Sequence, residues 1–316
     1  MKNSRLAGFA GLFLFVPALV ACGTKGVETR PEADAEVTTT SVASDFPVTV
    51  GELTLDVEPV RVVSMSASAT ETLFAIGAGE KIVAVDAFSN YPSEADALTK
   101  LDAYQPSVEA ISGLEPDLVV ISYDPGNLVE QLAALNIPVF TAGAVPDLEG
   151  AYRQIEQLGA LTGRLPEALR LSGAMRSEIE SLVSGTMVVD PPLSYFYELD
   201  PTPYTVTSNT FIGGVMALFG LTNIADGVEP GNDYPQLSAE VVVERDPDIV
   251  FLADTKCCAQ SLETVAARDG WGNLSAVRSG NVVELDDDVA SRWGPRLVEL
   301  VRVVAETIAA VTTASP

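Results

Sequence analysis

A chain of 316 residues is long enough for about two domains with sizeable cores, and 47% hydrophobic against 20% charged residues excludes wholesale disorder. Eighteen basic against 44 acidic residues leave a net charge of −26, which repels nucleic acid and anionic lipid surfaces. Histidine is absent, which removes His-based triads, His proton shuttles and imidazole-ligated zinc or haem.

In chain order, Lys2 and Arg5 precede an uncharged, mostly apolar run over 6–21 that is too short to span a bilayer and is broken by Pro17, the pattern of a secretory signal. It ends in Leu19-Val20-Ala21-Cys22-Gly23, which resembles the bacterial lipobox; the resemblance implies a signal peptide over 1–21 and lipidation of Cys22. Loss of Lys2 and Arg5 leaves 16 basic against 44 acidic residues, a net −28. Residues 23–45 hold no aromatic, Leu or Ile and cannot build a core, so a flexible tether is expected over 22–54.

From there the grammar is βαβ. Strands are expected at 61–65, 82–85, 118–122, 139–141, 193–197, 249–252 and 282–285, with helices at 67–76, 108–113, 127–135, 212–219 and 295–311. Apolar residues recur at helical intervals from Leu148 to Leu182, with Gly163 and Pro166 marking a kink or break. Two halves match at an offset of 131 residues: Gln105, Ser107, Glu109, Pro116, Asp117 and Val119 coincide with Gln236, Ser238, Glu240, Pro247, Asp248 and Val250. Each copy reads as a Ser-capped helix, a Pro-Asp turn and a buried strand. The period far exceeds that of solenoid repeats and fits two similar α/β lobes. The expected organisation is therefore an N-terminal α/β lobe over 55–146, a long interdomain helix over 147–185 and a C-terminal α/β lobe over 186–316, with a ligand cleft between the lobes.

The 64–74 run (SMSASATETLF), Asn90-Tyr91-Pro92, the 105–119 unit, Tyr234-Pro235-Gln236 with Ser238-Ala239-Glu240, and the 291–296 run (SRWGPR) resemble the substrate-binding lipoproteins of ABC importers for ferric siderophores and cobalamin. The resemblance covers about residues 58–310. It implies two lobes bridged by a rigid helix, capture of a metal chelate without a resident cofactor, and delivery to a permease and ATPase. It further implies a monomer held outside the cell membrane by its lipid alone. Glu109 and Glu240 correspond by resemblance to the acid on each lobe that docks on permease arginines, although each also suits the first turn of its helix.

Ligand contacts are expected from Ser66, Tyr91, Tyr104, Tyr123, Tyr234 and Trp293, which sit at strand ends and helix starts where open α/β sheets bind ligands. Arg292 is expected to offer a guanidinium to an anionic chelate, the alternative being an ion pair with Asp287 or Asp288. Asp286-Asp287-Asp288 itself reads as a solvated face. Cys257 and Cys258 are expected to be oxidised outside the membrane, as a vicinal disulfide or otherwise as free thiols or an intermolecular bond. Ferric siderophore and cobalamin are not separated by the sequence. Haem is an alternative that would need tyrosine ligation. An extracellular hydrolase is the rival from another class, disfavoured because no Gly-x-Ser-x-Gly elbow occurs and lysine is scarce.

Overall fold

The computed structural model describes residues 46–314. The expected signal peptide, Cys22 and the tether up to residue 45 lie outside the described residues. The rest of the expected tether is folded. Strands β1 (Val48–Val50) and β2 (Leu53–Leu55) form an antiparallel hairpin. Phe46, Val48, Val50 and Leu53 pack on the main core with Leu55. The body thus begins by Phe46, where the first aromatic after the core-poor segment appears, and the linker boundary at 54 is corrected accordingly.

The N-terminal lobe runs β3 (Val62–Met65), α1 (Ala67–Ala75), β4 (Ile82–Asp86), α2 (Ser93–Asp96), β5 (Thr99–Leu101), α3 (Val108–Ser112), β6 (Leu118–Ile121), α4 (Leu128–Ala133) and β7 (Val139–Thr141). Its five strands are all parallel in the order β5-β4-β3-β6-β7. Chain direction across the sheet reverses between β3 and β6, so their carboxyl ends open a crevice.

Two helices follow, α5 (Leu148–Leu161) and α6 (Leu165–Gly185). They are antiparallel: Glu149 pairs with Arg176, Arg176 lies over the Tyr152 ring, and the Ser172 hydroxyl donates to Glu156 at 2.7 Å. Gly163, at φ +70°, makes the turn that an L side chain resists. A Cβ on Gly159 would come within 2.3 Å of the Ala168 Cβ, so glycine there is what lets the helices touch. The single helix expected over 147–185 is therefore a helical hairpin. α5 packs on α1 and β1, while α6, 21 residues and roughly 31 Å long, carries the chain onward to the other lobe.

The C-terminal lobe runs β8 (Ser194–Glu198), α7 (Phe211–Ala217), β9 (Thr222–Asn223), α8 (Ala239–Arg245), β10 (Ile249–Leu252), α9 (Thr255–Cys258), α10 (Leu262–Ala266), α11 (Ser275–Ser279), β11 (Val282–Glu284), α12 (Asp287–Ser291) and α13 (Leu297–Ala314). Its parallel sheet has the order β11-β10-β8-β9, with the same reversal between its first and third strands as the N-terminal lobe shows between β3 and β6.

The repeat extends to the packing. In β6, Leu118 and Val120 face the large shared core while Val119 and Ile121 face the lobe's own. In β10, 131 residues on, Ile249 and Phe251 face the shared core and Val250 and Leu252 the lobe's own. A strand covered on both faces is apolar throughout, and its period of two only decides which core each residue joins. The Pro-Asp turns do matching work. The Asp117 carboxylate accepts the Val60 and Arg61 N–H groups at 2.9 Å each, and that of Asp248 accepts the Ser194 N–H at 2.8 Å and its hydroxyl at 2.7 Å. Each aspartate thereby ties the start of its own strand to the start of the lobe's first strand.

Candidate functional site

The loops at the carboxyl ends of β3, β4, β5 and β6 surround a cavity of about 250 Å³ that the 291–293 segment closes from the C-terminal lobe. Five of the expected ligand residues meet here: Ser66, Tyr104, Tyr123, Arg292 and Trp293. Phe88, Tyr104 and Tyr123 form a continuous aromatic wall. Phe88 meets Tyr104 edge to face at 5.6 Å and Tyr104 tilts against Tyr123 at 6.2 Å, yet the three remain 53%, 65% and 41% exposed. Three adjoining exposed aromatics are a surface awaiting cover. The Tyr123 hydroxyl donates to the Ala103 carbonyl at 2.9 Å, and burial, followed by the neighbouring Tyr104 and Asp102, pushes its pKa above the ordinary phenol value, so it stays neutral. Across the cavity the Trp293 indole N–H donates to the Gln154 side-chain oxygen at 2.8 Å, and Gln154 is itself held by the Gly143 carbonyl at 2.9 Å.

Phe88 was not among the expected residues. It stands two residues past β4, in the same class of strand-end loop that singled out the tyrosines, so the strand-end rule applied to every loop would have found it. Ser66 borders the cavity, but it is buried and its hydroxyl caps α1 by accepting the Ala69 N–H at 3.4 Å. Tyr91 lies in a separate cavity of about 780 Å³ bounded by α1, the start of α6 and the start of α13, under the Arg296 guanidinium at 4.3 Å. Tyr234 stays exposed ahead of α8 and lines neither cavity.

Arg292 corrects a further expectation. Arg292 is 9% exposed as a residue, and both terminal nitrogens of its guanidinium are engaged: with Glu71 at 2.7 Å, the Asn90 side-chain oxygen at 3.1 Å, the Phe88 carbonyl at 2.8 Å and Asp288 at 2.5 Å. A buried guanidinium needs such partners to offset its desolvation. Arg296 adds two bonds to the same buried Glu71, at 3.0 and 2.6 Å, whose carboxylate therefore ties α1 to the segment ahead of α13. The ion-pair alternative for Arg292 holds with Asp288, and the cavity is left without a free guanidinium from it.

Nor is the 286–288 triple a solvated face. Asp286 caps α12, Asp287 receives the Lys256 and Cys257 backbone N–H groups, and Asp288 accepts from Lys256, Asn90 and Arg292. Burial opposes ionisation of Asp288, but the bonds from Lys256 and Asn90 and the Arg292 charge outweigh it and hold its carboxyl below the usual range. Cys257 and Cys258 are joined in a vicinal disulfide at the end of α9.

Glu109 and Glu240 occupy matching places. Each is exposed in the first turn of its helix, one residue after a Val or Ala that follows a capping serine: Ser107 accepts the Ala110 N–H at 3.1 Å and Ser238 the Val241 N–H at 3.3 Å. The Glu240 backbone N–H and the Ser238 hydroxyl hold the Glu240 carboxyl below its ordinary range.

The family described as "periplasmic binding protein" matches residues 62–289, a span that includes both parallel sheets and the cavity's N-terminal-lobe lining but stops short of Ser291, Arg292 and Trp293. The chain belongs to the periplasmic binding protein family. It is 32% identical over 304 residues to a cobalamin-binding protein of Halobacterium salinarum, covering 92% of this chain and 82% of that one. It is 29% identical to an uncharacterised ABC transporter substrate-binding lipoprotein, YvrC, of Bacillus subtilis, over 97% of this chain and 98% of the relative. Among solved structures, that of the periplasmic vitamin B12-binding protein BtuF of Vibrio cholerae superposes with a TM-score of 0.68 at 25% identity, covering 80% of this chain and 98% of that one. The family binds rather than transforms its ligands and works outside the cytoplasm.

Proposed function

We propose that this protein captures a corrinoid, cobalamin or a precursor, between its lobes and delivers it to an ABC importer. The observation that carries the reading is the exposed Phe88–Tyr104–Tyr123 wall facing Trp293. Aromatic faces and edges pack on a flat macrocycle, and a cavity of about 250 Å³ grips one side of it, since a site that engulfs a drug-sized ligand takes about 300–1,000 Å³. The charge supports a corrinoid over an anionic ferric siderophore, because the one guanidinium at the cavity is already neutralised by Glu71 and Asp288. The cobalamin-binding relative points the same way.

In this reading Cys22 carries the lipid anchor, and a monomer docks on a permease served by an ATPase. Glu109 and Glu240 each offer an exposed carboxylate from an equivalent helix start, so two acids set by one repeat register two equivalent halves of a partner. The test is titration of the full-length chain in detergent with cobalamin, cobinamide and a panel of ferric siderophores, followed by tryptophan emission in a Trp271→Phe background that leaves Trp293 as the reporter. Sub-micromolar corrinoid binding that weakens at least about ten-fold in Tyr104→Ala plus Tyr123→Ala, as loss of two stacked rings demands, is expected. Absence of any corrinoid binding, or preference for a siderophore, overturns the ligand assignment. Glu109→Lys with Glu240→Lys is expected to abolish uptake at unchanged ligand affinity.

A further inference from the structure

The vicinal disulfide stands outside the cavity, and the proposed ligand reading makes no use of it. Its surroundings give it a different connection. It closes α9, a four-residue helix too short to persist by itself. The residue after it, Ala259, sits at φ +52°, a left-handed conformation that is strained for an alanine and survives only where neighbours impose it. Cys257 is exposed, so a reductant can reach the bond.

The same short helix holds the acids that organise the lobe junction. Asp287 accepts the Cys257 N–H at 2.8 Å, the Lys256 N–H at 3.0 Å and the Thr255 hydroxyl at 2.9 Å. The Lys256 ammonium reaches Asp286 at 2.7 Å and Asp288 at 3.0 Å. Asp288 in turn holds Arg292 and Asn90, and Arg292 holds Glu71 on α1. One unbroken set of hydrogen bonds thus leads from the disulfide to the contact between the 292–296 segment and the N-terminal lobe.

We infer that the Cys257–Cys258 bond is a redox-sensitive latch on the lobe junction. A dithiol reductant of thioredoxin type, acting outside the membrane, passes two electrons and two protons to the bond, which opens to two thiols while the reductant's own pair closes to a disulfide. Released from the ring, α9 frays and Ala259 relaxes. Lys256 then withdraws from Asp288, and Asp287 loses the backbone groups it caps. Asp288 is left with Arg292 and Asn90 alone, and the 286–296 segment opens more often. The oxidised protein is the form with the junction closed.

Hydrogen exchange followed by mass spectrometry on the full-length chain, with and without dithiothreitol and with no ligand present, tests this independently of what the cleft binds. Peptide-resolved alkylation first establishes the redox state. In the oxidised protein both cysteines are expected to resist alkylation, and labelling of either without reductant overturns the latch. On reduction, exchange across 286–296 and around Asn90 is expected to rise about ten-fold, the equivalent of one charge-assisted hydrogen bond lost. Cys257→Ser with Cys258→Ser is expected to exchange like the reduced protein and to ignore dithiothreitol. Lys256→Met, which keeps the disulfide but cuts its route to Asp288, is expected to lose most of the response at 286–296. A rise confined to 255–260, with 286–296 unchanged on reduction, overturns the inference.

Discussion

Glu71→Gln is the sharpest test of the lobe junction. Glu71 is 2% exposed, and its two oxygens take three guanidinium bonds: Oε1 from Arg292 at 2.7 Å and from Arg296 at 2.6 Å, Oε2 from Arg296 at 3.0 Å. Glutamine keeps the volume but supplies one oxygen. Its amide nitrogen then opposes an arginine N–H, donor against donor, and the charge that offset two desolvated guanidinium groups is gone. Removing one partner from a buried ion pair costs about 3–5 kcal/mol, which at roughly 2 °C per kcal/mol for a chain of this size lowers Tm by about 6–10 °C. Thermal and urea denaturation of both proteins measure it. The control is Glu80→Gln, whose partner Arg164 lies at 3.2 Å on a carboxylate that is 75% exposed; its loss should fall below about 1 kcal/mol. A Glu71→Gln loss no larger than that of Glu80→Gln refutes the account of the junction.

Asp254, wholly buried with neither carboxyl oxygen hydrogen-bonded, is pushed up to about 7 by burial and then by the charge of Glu198. The folded protein therefore holds a proton that the unfolded chain releases near pH 4, so this contribution to stability is full below pH 4 and is lost as pH rises through about 7. At most about 4 kcal/mol separates pH 4 from pH 8 through this group. Asp254→Asn should flatten that part of the urea-denaturation profile, and parallel wild-type and variant profiles would contradict the assignment. Gly159→Ala and Gly173→Ala should shift stability in opposite directions although both glycines are helical. Gly173 has nothing within 4 Å of a built Cβ and should gain up to about 1 kcal/mol of helix propensity. Gly159 would collide with Ala168 and should lose about 1–3 kcal/mol, as calorimetry would record.

The two-lobe fold was legible because its signals are local. Val62–Met65, Leu118–Ile121 and Ile249–Leu252 are short apolar runs between turn residues, and buried parallel strands have that form. Capping serines and Pro-Asp turns recur at a fixed offset, and the structure gives each copy the same bonds. The hairpin over Val48–Leu55 was hidden because two strands of three residues follow a core-poor segment and gain their burial from the distant main core, with α5 packed on β1. The break at Gly163 was readable, but whether it bends or reverses the helix depends on the fit of Gly159 against Ala168.

Within the site, the tyrosines at 104 and 123 and Trp293 could be placed near a cleft because strand-end loops converge there whatever their partners. What each polar group does there could not be read. Arg292 and Glu71 are 221 residues apart, and only the docking of one lobe's loop on the other's helix makes a ligand-ready guanidinium into a structural tie. The same docking sends Tyr91 to a different cavity and gives the 286–288 acids partners in α9 and Asn90. By itself, then, the sequence determined strands, caps, the internal repeat and the exclusion of imidazole chemistry, because each is written within a few residues or in composition. The tertiary structure alone decided which charges are spent and which aromatics stay bare, because desolvation and pairing depend on groups brought together from opposite ends of the chain.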